Sequence, residues 1–253
     1  MVSYDVLGNI AIMKFDGEKV SEKKKIASNL MDERKNITTV LEKIDKVKGR
    51  LRTIKTRFLA GKKTKEALYR ENGCLFKLNV ETCYFSPRLS NERIEIAGRV
   101  KKEDRVLVLF AGVSPFPIVI AKRSGAKVVS VELGRECCKY GKENVKLNKL
   151  VGKVEVIQGD VKNLGKLIKK EKFDKIVMPR PQLKDTFLKY IWKFCDEDCE
   201  IYYYDFGKDP EEIIKKVENE AKKSGKKIKI FNFKRAGDIA PFKYRWRLDF
   251  KLG

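Results

Sequence analysis

The chain has no histidine among its 253 residues. The side chain that titrates nearest neutral pH is therefore missing, and proton transfer falls to carboxylates, Lys, Tyr or Cys. The same absence excludes a mixed Cys/His zinc site. Neither Cys137-Cys138 nor Cys195/Cys199 has the paired spacing of a four-cysteine site, so no metal is expected. The six cysteines read as small apolar residues, with Cys195/Cys199 a minor candidate for a disulfide. No apolar run approaches the roughly 20 residues of a membrane span. The opening Met1-Val2-Ser3-Tyr4-Asp5 holds no apolar leader core, so the protein is expected in the cytoplasm with its thiols reduced. There is no internal repeat and no low-complexity tail.

Acids are scarce relative to bases: 35 Asp and Glu against 58 Lys and Arg leave a formal charge of +23. A heat-adapted surface carries many charges of both signs, which does not explain an excess of one. A polyanionic partner does, because each phosphate neutralised releases condensed counterions. The same charge repels cationic protein or small-molecule substrates.

Two regions separate along the chain. Residues 1–84 are expected to form a small α+β domain, with strands at Gly8 to Phe15, Thr39 to Leu41, Leu51 to Leu59 and Cys74 to Val80. One helix is expected from Ser21 to Arg34, capped by Ser21, with Ile26, Leu30 and Met31 on one face. The basic loop Ala60-Gly61-Lys62-Lys63-Thr64-Lys65 reads as a solvated hairpin at least as readily as an RNA contact. Residues 85–253 open on a helix with Ser86 as N-cap, Pro87 in the first turn and Leu89, Ile96 and Val100 on one side.

From Arg105 onward strands and helices alternate. Strands are expected at Val106 to Phe110, Lys127 to Glu132, Val154 to Gln158, Phe173 to Met178 and Glu200 to Phe206. Helices are expected between them at Pro115 to Lys122, Arg135 to Asn148, Val161 to Lys170 and Leu183 to Phe194. That rhythm makes a parallel sheet with right-handed crossovers. A helix from Pro210 to Ser224 and two strands, Lys227 to Phe233 and Tyr244 to Phe250, joined by a loop, close it with an antiparallel pair. The expected fold class is α/β, a mostly parallel seven-stranded sheet compatible with a class I methyltransferase arrangement. The aromatic, basic stretch Phe242-Lys243-Tyr244-Arg245-Trp246-Arg247 alternates as a half-buried strand, which favours packing over base stacking.

The first strand runs into Phe110-Ala111-Gly112-Val113-Ser114-Pro115, and Glu132 ends the second strand 20 positions after Gly112. A glycine turn followed by a strand-end acid marks a ribose-bearing cofactor. Gly112 lets backbone approach the ligand, Glu132 accepts from two ribose hydroxyls, and Asp160 ends the third strand where an adenine amino group is met. One glycine with a proline behind it weakens a dinucleotide site and suits S-adenosylmethionine (SAM). The cofactor set is Phe110, Ala111, Gly112, Val113, Glu132, Leu133, Asp160, Val161 and Met178.

Three further blocks carry a family resemblance. Tyr84-Phe85-Ser86-Pro87-Arg88-Leu89-Ser90-Asn91-Glu92-Arg93, then Phe110-Ala111-Gly112-Val113, then Glu143-Asn144 through Leu147-Asn148-Lys149, resemble the archaeal and eukaryotic tRNA (guanine-37-N1) methyltransferases. That group includes the aminocarboxypropyl transferases of the wybutosine pathway. The likeness runs from about Gly8 to the C-terminus and makes the first region the family's middle, RNA-side domain. It implies Glu92 as the general base toward guanine N1 and Arg52 as the cation that stabilises charge on guanine O6. Arg88 and Arg93 order the loop or contact phosphate.

The sequence also departs from the family. The fourth strand ends Met178-Pro179-Arg180-Pro181-Gln182, with Pro179 where the family has an asparagine that helps hold the base. Two prolines make this segment stiff, leaving Arg180 to meet a phosphate or base edge and Gln182 to supply the lost amide. Ser114 replaces a family glycine, and Val108 stands where an acid is usual. The chain reads as starting where the family's middle domain starts, without the N-terminal domain that inspects tRNA shape. The expected protein is a monomeric SAM-dependent tRNA methyltransferase acting on guanine N1 near the anticodon. The alternatives are aminocarboxypropyl transfer from the same cofactor and a tRNA-binding relative that has lost catalysis.

Overall fold

A computed structural model describes residues 2–45, 49, 52–169 and 171–253. It divides into two compact units, Met1–Pro87 and Arg88–Gly253.

The first unit is built on a four-stranded sheet ordered β1-β2-β3-β4. Strands β1 (Tyr4–Leu7) and β2 (Ile10–Met13) form a hairpin; helix α1 (Val20–Glu33) then crosses to β3 (Thr39–Lys43), parallel to β2, and β4 (Thr56–Gly61) pairs back antiparallel. Ala27 and Leu30 of α1 cover Ala11, Met13, Val40 and Leu59, which gives this unit its own apolar core. The expected strand Gly8 to Phe15 shortens to β2, because Gly8 turns the chain of the hairpin with φ +58, and a Cβ there would sit 1.9 Å from the Leu68 carbonyl oxygen. Helix α1 is capped at Lys19, not Ser21: the Lys19 N–H donates to Glu22 at 3.2 Å.

The expected strand Leu51 to Leu59 begins only at Thr56; Leu51 lies outside the described residues, and Arg52 sits in a turn with φ +58. A second hairpin joins β5 (Glu66–Glu71) to β6 (Cys74–Asn79); the sequence pattern predicts only the second of these strands. Its turn, Asn72-Gly73, takes φ +49 and +71. That is the left-handed pair that a two-residue hairpin requires.

The second unit is a seven-stranded sheet ordered β12-β13-β11-β10-β7-β8-β9. A 3₁₀ turn (Pro87–Leu89) precedes α2 (Ser90–Gly98), so the helix opens four residues after the expected Ser86 cap. Strands β7 (Arg105–Leu109), β8 (Lys127–Glu132), β9 (Val154–Gln158), β10 (Phe173–Met178) and β11 (Cys195–Gly207) are all parallel. Helices α3 (Pro115–Ser124), α4 (Arg135–Leu147) and the single turn α5 (Leu164–Leu167) make the crossovers. Helix α6 (Pro210–Lys223) leads to the hairpin β12 (Ile228–Ala240) and β13 (Lys243–Leu252). β13 runs antiparallel to both neighbours.

Three expected elements differ. The helix from Val161 reduces to a 3₁₀ turn (Val161–Asn163) and α5, and Lys170 lies outside the described residues. The helix Leu183 to Phe194 is instead two 3₁₀ turns, Leu188–Tyr190 and Trp192–Phe194. Phe187 is left-handed with φ +63, and Asp185 accepts the Phe187 N–H at 2.8 Å, which holds an Asx turn where a helix would have to pass. The loop expected between the last two strands is ladder, because β12 and β13 extend to a tight turn at Pro241-Phe242. The tail packs only in part: Trp246 stacks on Phe233 at 4.9 Å, whereas Phe242 is 71% exposed. No helix among the described residues is long and apolar enough to cross a membrane.

Candidate active site

The C-terminal ends of β7, β8, β9 and β10 lie side by side, the edge where open α/β sheets bind ligands. They bring together Phe110 to Val113, Glu132 with Leu133, Asp160 with Val161, and Met178. After β7 the backbone alternates: Phe110, Gly112 and Ser114 take φ of +56, +57 and +66. Such a loop turns successive N–H groups to one side. Glu132 fixes it, its two oxygens accepting the Gly112 N–H at 2.8 Å and the Gly134 N–H at 2.7 Å. Asn144 of α4 donates to the Val113 carbonyl at 3.1 Å and ties the turn to the helix behind it.

At the next strand end Asp160 caps the 3₁₀ turn by accepting the Lys162 N–H at 3.0 Å. Phe110 packs edge-on against Phe187 at 5.1 Å, and Val161 and Met178 are buried below. A glycine-bearing turn bridged to a strand-end carboxylate, with an apolar floor and a second acid one strand over, fits a nucleoside.

Ser114, the residue in place of glycine, is fully buried, and its Oγ has no hydrogen-bond partner among the described residues. It fits because α4 has Gly141 opposite it: a Cβ on Gly141 would fall 2.8 Å from the Ser114 Oγ.

On α2, Glu92 is buried and accepts from three donors. The Tyr204 hydroxyl (2.9 Å) and Arg247 Nη1 (2.7 Å) reach Oε2, and Lys234 Nζ reaches Oε1 at 2.8 Å. Arg247 also bonds Glu95 (2.6 Å) and both oxygens of Asp249 (2.8 and 3.0 Å). Burial raises the Glu95 carboxyl, but Arg247 and Lys234 outweigh it and hold it down to about 2. Burial, then Glu92, push the Tyr204 phenol well above its ordinary value, so it stays a donor. Sequence reasoning misses Tyr204, Lys234 and Arg247 as site residues, because all three lie on strands far along the chain from Glu92. A charged residue alternating within the apolar run of β13 was the available signal.

Arg52 belongs to the first unit. Its guanidinium lies over the Tyr84 ring at 4.1 Å, and its buried Nε has no partner among the described residues. Arg88 and Gln182 are exposed.

Two assignments need correction. Arg180 does not face a substrate: it is buried, ion-paired to Asp205, and donates to the carbonyls of Leu183 and of Asp185 (2.7 Å). Burial raises the Asp205 carboxyl, but Arg180 and Lys216 bring it below its usual range. Arg93 is also buried, its guanidinium 5.8 Å from the Phe116 ring centre, so it does not contact phosphate directly. Among the described residues no group of three or more Cys, Asp or Glu could hold a metal ion.

Comparison with known proteins agrees with this geometry. Residues 67–230 match the TRM5/TYW2 methyltransferase domain, and residues 1–64 match the TYW2 N-terminal domain. The second match overturns the expectation that the family's N-terminal domain is lacking: the sheet β1 to β4 with α1 falls within it. The chain is 32% identical to the tRNA (guanine(37)-N(1))-methyltransferase Trm5b of Pyrococcus abyssi, over 99% of this chain and 74% of that one. The crystal structure of that protein superposes with a TM-score of 0.85, covering 99% and 75% of the two chains. The Nanoarchaeum equitans tRNA (guanine(37)-N(1))/4-demethylwyosine(37)-methyltransferase Taw22 is also 32% identical, over 99% of this chain and all of that one. The complex of aTrm5 with tRNALeu gives a TM-score of 0.84 at 30% identity, covering 99% and 72%. The chain therefore belongs to the TRM5/TYW2 family of class I methyltransferases, enzymes that use S-adenosylmethionine.

Proposed function

We propose that this protein methylates N1 of guanine 37 in tRNA, as a cytoplasmic monomer. The observation that carries the reading is Glu92, a buried carboxylate on α2 in the matched methyltransferase domain, held by three donors with acceptor capacity left on Oε1.

S-adenosylmethionine supplies a methyl group on a sulfonium, which leaves as a neutral thioether. Glu132 and the turn around Gly112 bind the ribose, Asp160 meets the adenine amino group, and Phe110, Ala111, Val113, Leu133, Val161 and Met178 shape the apolar walls. Glu92 accepts the N1 proton of guanine as the N1 lone pair closes on the methyl carbon. Arg52, as the family resemblance implies, supplies a cation to the charge that builds on O6. Arg88 and Gln182, both exposed, contact the tRNA. Holding the acceptor in line with the methyl group supplies much of the rate.

A second reading, transfer of the aminocarboxypropyl group, is favoured by the TYW2-type N-terminal match and by Pro179 in place of the base-holding amide. The test is reaction of unmodified tRNA with SAM labelled in the methyl group, followed by nucleoside mass spectrometry. Labelled 1-methylguanosine is the expected product. An unlabelled nucleoside carrying the aminocarboxypropyl mass moves the assignment to the second reading. No product while SAM binds overturns both and leaves a tRNA-binding relative.

A further inference from the structure

The three donors to Glu92 come from one rung of the sheet. Tyr204 on β11 pairs with Arg247 on β13, and Arg247 pairs with Lys234 on β12. Residues directly opposite in antiparallel strands share a face. A single row across three strands thus presents a hydroxyl, a guanidinium and an ammonium to one carboxylate.

The donors are not equivalent. Tyr204 and Arg247 are fully buried, and together they fill both lone-pair directions of Oε2. Arg247 has no freedom to swing, because its Nε and Nη2 are bound to Asp249 and Glu95. Among the described residues Oε1 takes Lys234 alone, whose side chain is 35% exposed on a flexible stem. A proton can therefore arrive only on Oε1, beside Lys234.

We propose that Arg247, with Tyr204, is the positioning element for Glu92, and that Lys234 is a removable counter-ion on the oxygen that receives the guanine proton. The inference rests on Glu92 being the base. Arg247 and Tyr204 set where Oε1 points. Lys234 offsets the charge of the resting carboxylate and shifts aside when guanine N1–H takes its place. Glu95, which shares Arg247 and Lys234 with Glu92, gives the displaced ammonium a partner at 2.6 Å.

Single-turnover methyl transfer to tRNA across a pH series tests this on the full chain. R247K keeps the charge and loses the fork. It is expected to slow the chemical step roughly 100-fold, with SAM affinity and the KM for tRNA unchanged. Y204F, which removes one donor, is expected to slow the same step less and carries the positioning test if R247K does not fold. K234M removes the counter-ion from the oxygen that receives the proton, and is expected to change the chemical step while the KM for tRNA stays unchanged. Wild-type rates and profiles in R247K, Y204F and K234M, with E92Q inactive, overturn this inference alone. A K234M variant that raises KM without changing the chemical step overturns the counter-ion role and makes Lys234 an RNA contact. Full activity in E92Q overturns the base assignment itself.

Discussion

Two buried arginines in the second unit show how little residue type says about role. Arg180 and Arg247 are almost completely removed from water, and both lie against carboxylates. Arg180 sits in a proline-flanked segment at the ligand edge of the sheet, which is where a substrate contact is expected. Yet its Nη groups go to Asp205 and two backbone carbonyls, its buried Nε alone lacking a partner among the described residues, and the Tyr203 hydroxyl (2.9 Å) and Lys216 (2.8 Å) complete the cluster on Asp205. Arg247 sits in the middle of an ordinary-looking strand and touches the candidate base. The difference lies in the partner: Asp205 is held on both oxygens by Arg180, Lys216 and Tyr203, whereas among the described residues one oxygen of Glu92 is reached only by a partly exposed lysine.

Asp205→Ala breaks the first cluster and should show the largest effect. A buried guanidinium that loses its carboxylate costs about 3–5 kcal/mol. The midpoint of urea unfolding should fall accordingly, while tRNA affinity per folded molecule stays as it was. A loss of tRNA affinity without a loss of stability would make Arg180 a substrate residue and erase the contrast. Glu132→Ala acts on a carboxylate held by backbone N–H groups instead of an arginine. Hydrogen bonds to a charged group contribute roughly 1.5–3 kcal/mol each. SAM affinity measured by calorimetry should drop tenfold or more, with tRNA binding unchanged; an unaltered affinity would remove Glu132 from the cofactor site.

These contrasts mark how far the sequence was legible. The parallel core from Arg105 to Met178 was readable because buried strands make short apolar runs and each ends at a turn or an acid. The spacing of Gly112 and Glu132 is legible as a turn and a strand end, and the structure bonds the two at 2.8 Å. What failed was local structure decided by distant contacts. Residues 183–194 have an apolar rhythm suited to a helix, but Arg180 draws the Leu183 and Asp185 carbonyls away from helical geometry. The Tyr204–Arg247–Lys234 row depends on strand register, which is set by tertiary pairing and is invisible to a single sequence. The Asn72-Gly73 hairpin was within reach, since that dipeptide signals a turn by itself.

A smaller effect separates the clusters by pH. Glu95, lowered to about 2 once Arg247 and Lys234 outweigh burial, contributes stability that is fully present above its ordinary value of 4.5. That contribution is lost as pH falls toward 2. Urea midpoints should therefore decline across this window, and Glu95→Gln should flatten part of the decline. A decline of the same size in the variant would assign acid sensitivity to Asp205 and its cluster instead.

The smallest expected effect concerns a buried polar group that, unlike either arginine, has no partner among the described residues. Ser114 holds a left-handed backbone that costs a non-glycine residue roughly 1–2 kcal/mol. Its buried Oγ, unpartnered among the described residues, adds a desolvation penalty of about 1–3 kcal/mol. Glycine would remove both while adding roughly 0.5–1 kcal/mol of unfolded-chain entropy. It would also leave a methyl-sized gap against Gly141, whose missing Cβ now makes room for the hydroxyl. The balance favours the variant: Ser114→Gly should stabilise by about 1 kcal/mol, a rise of roughly 2–4 °C in Tm by calorimetry. The gain should vanish in a Ser114→Gly, Gly141→Ser pair, which returns a buried hydroxyl to the same space from the opposite side. If Ser114→Gly instead lowers Tm, the hydroxyl is bonded in solution, and this turn is built on a polar contact just as the two arginine clusters are.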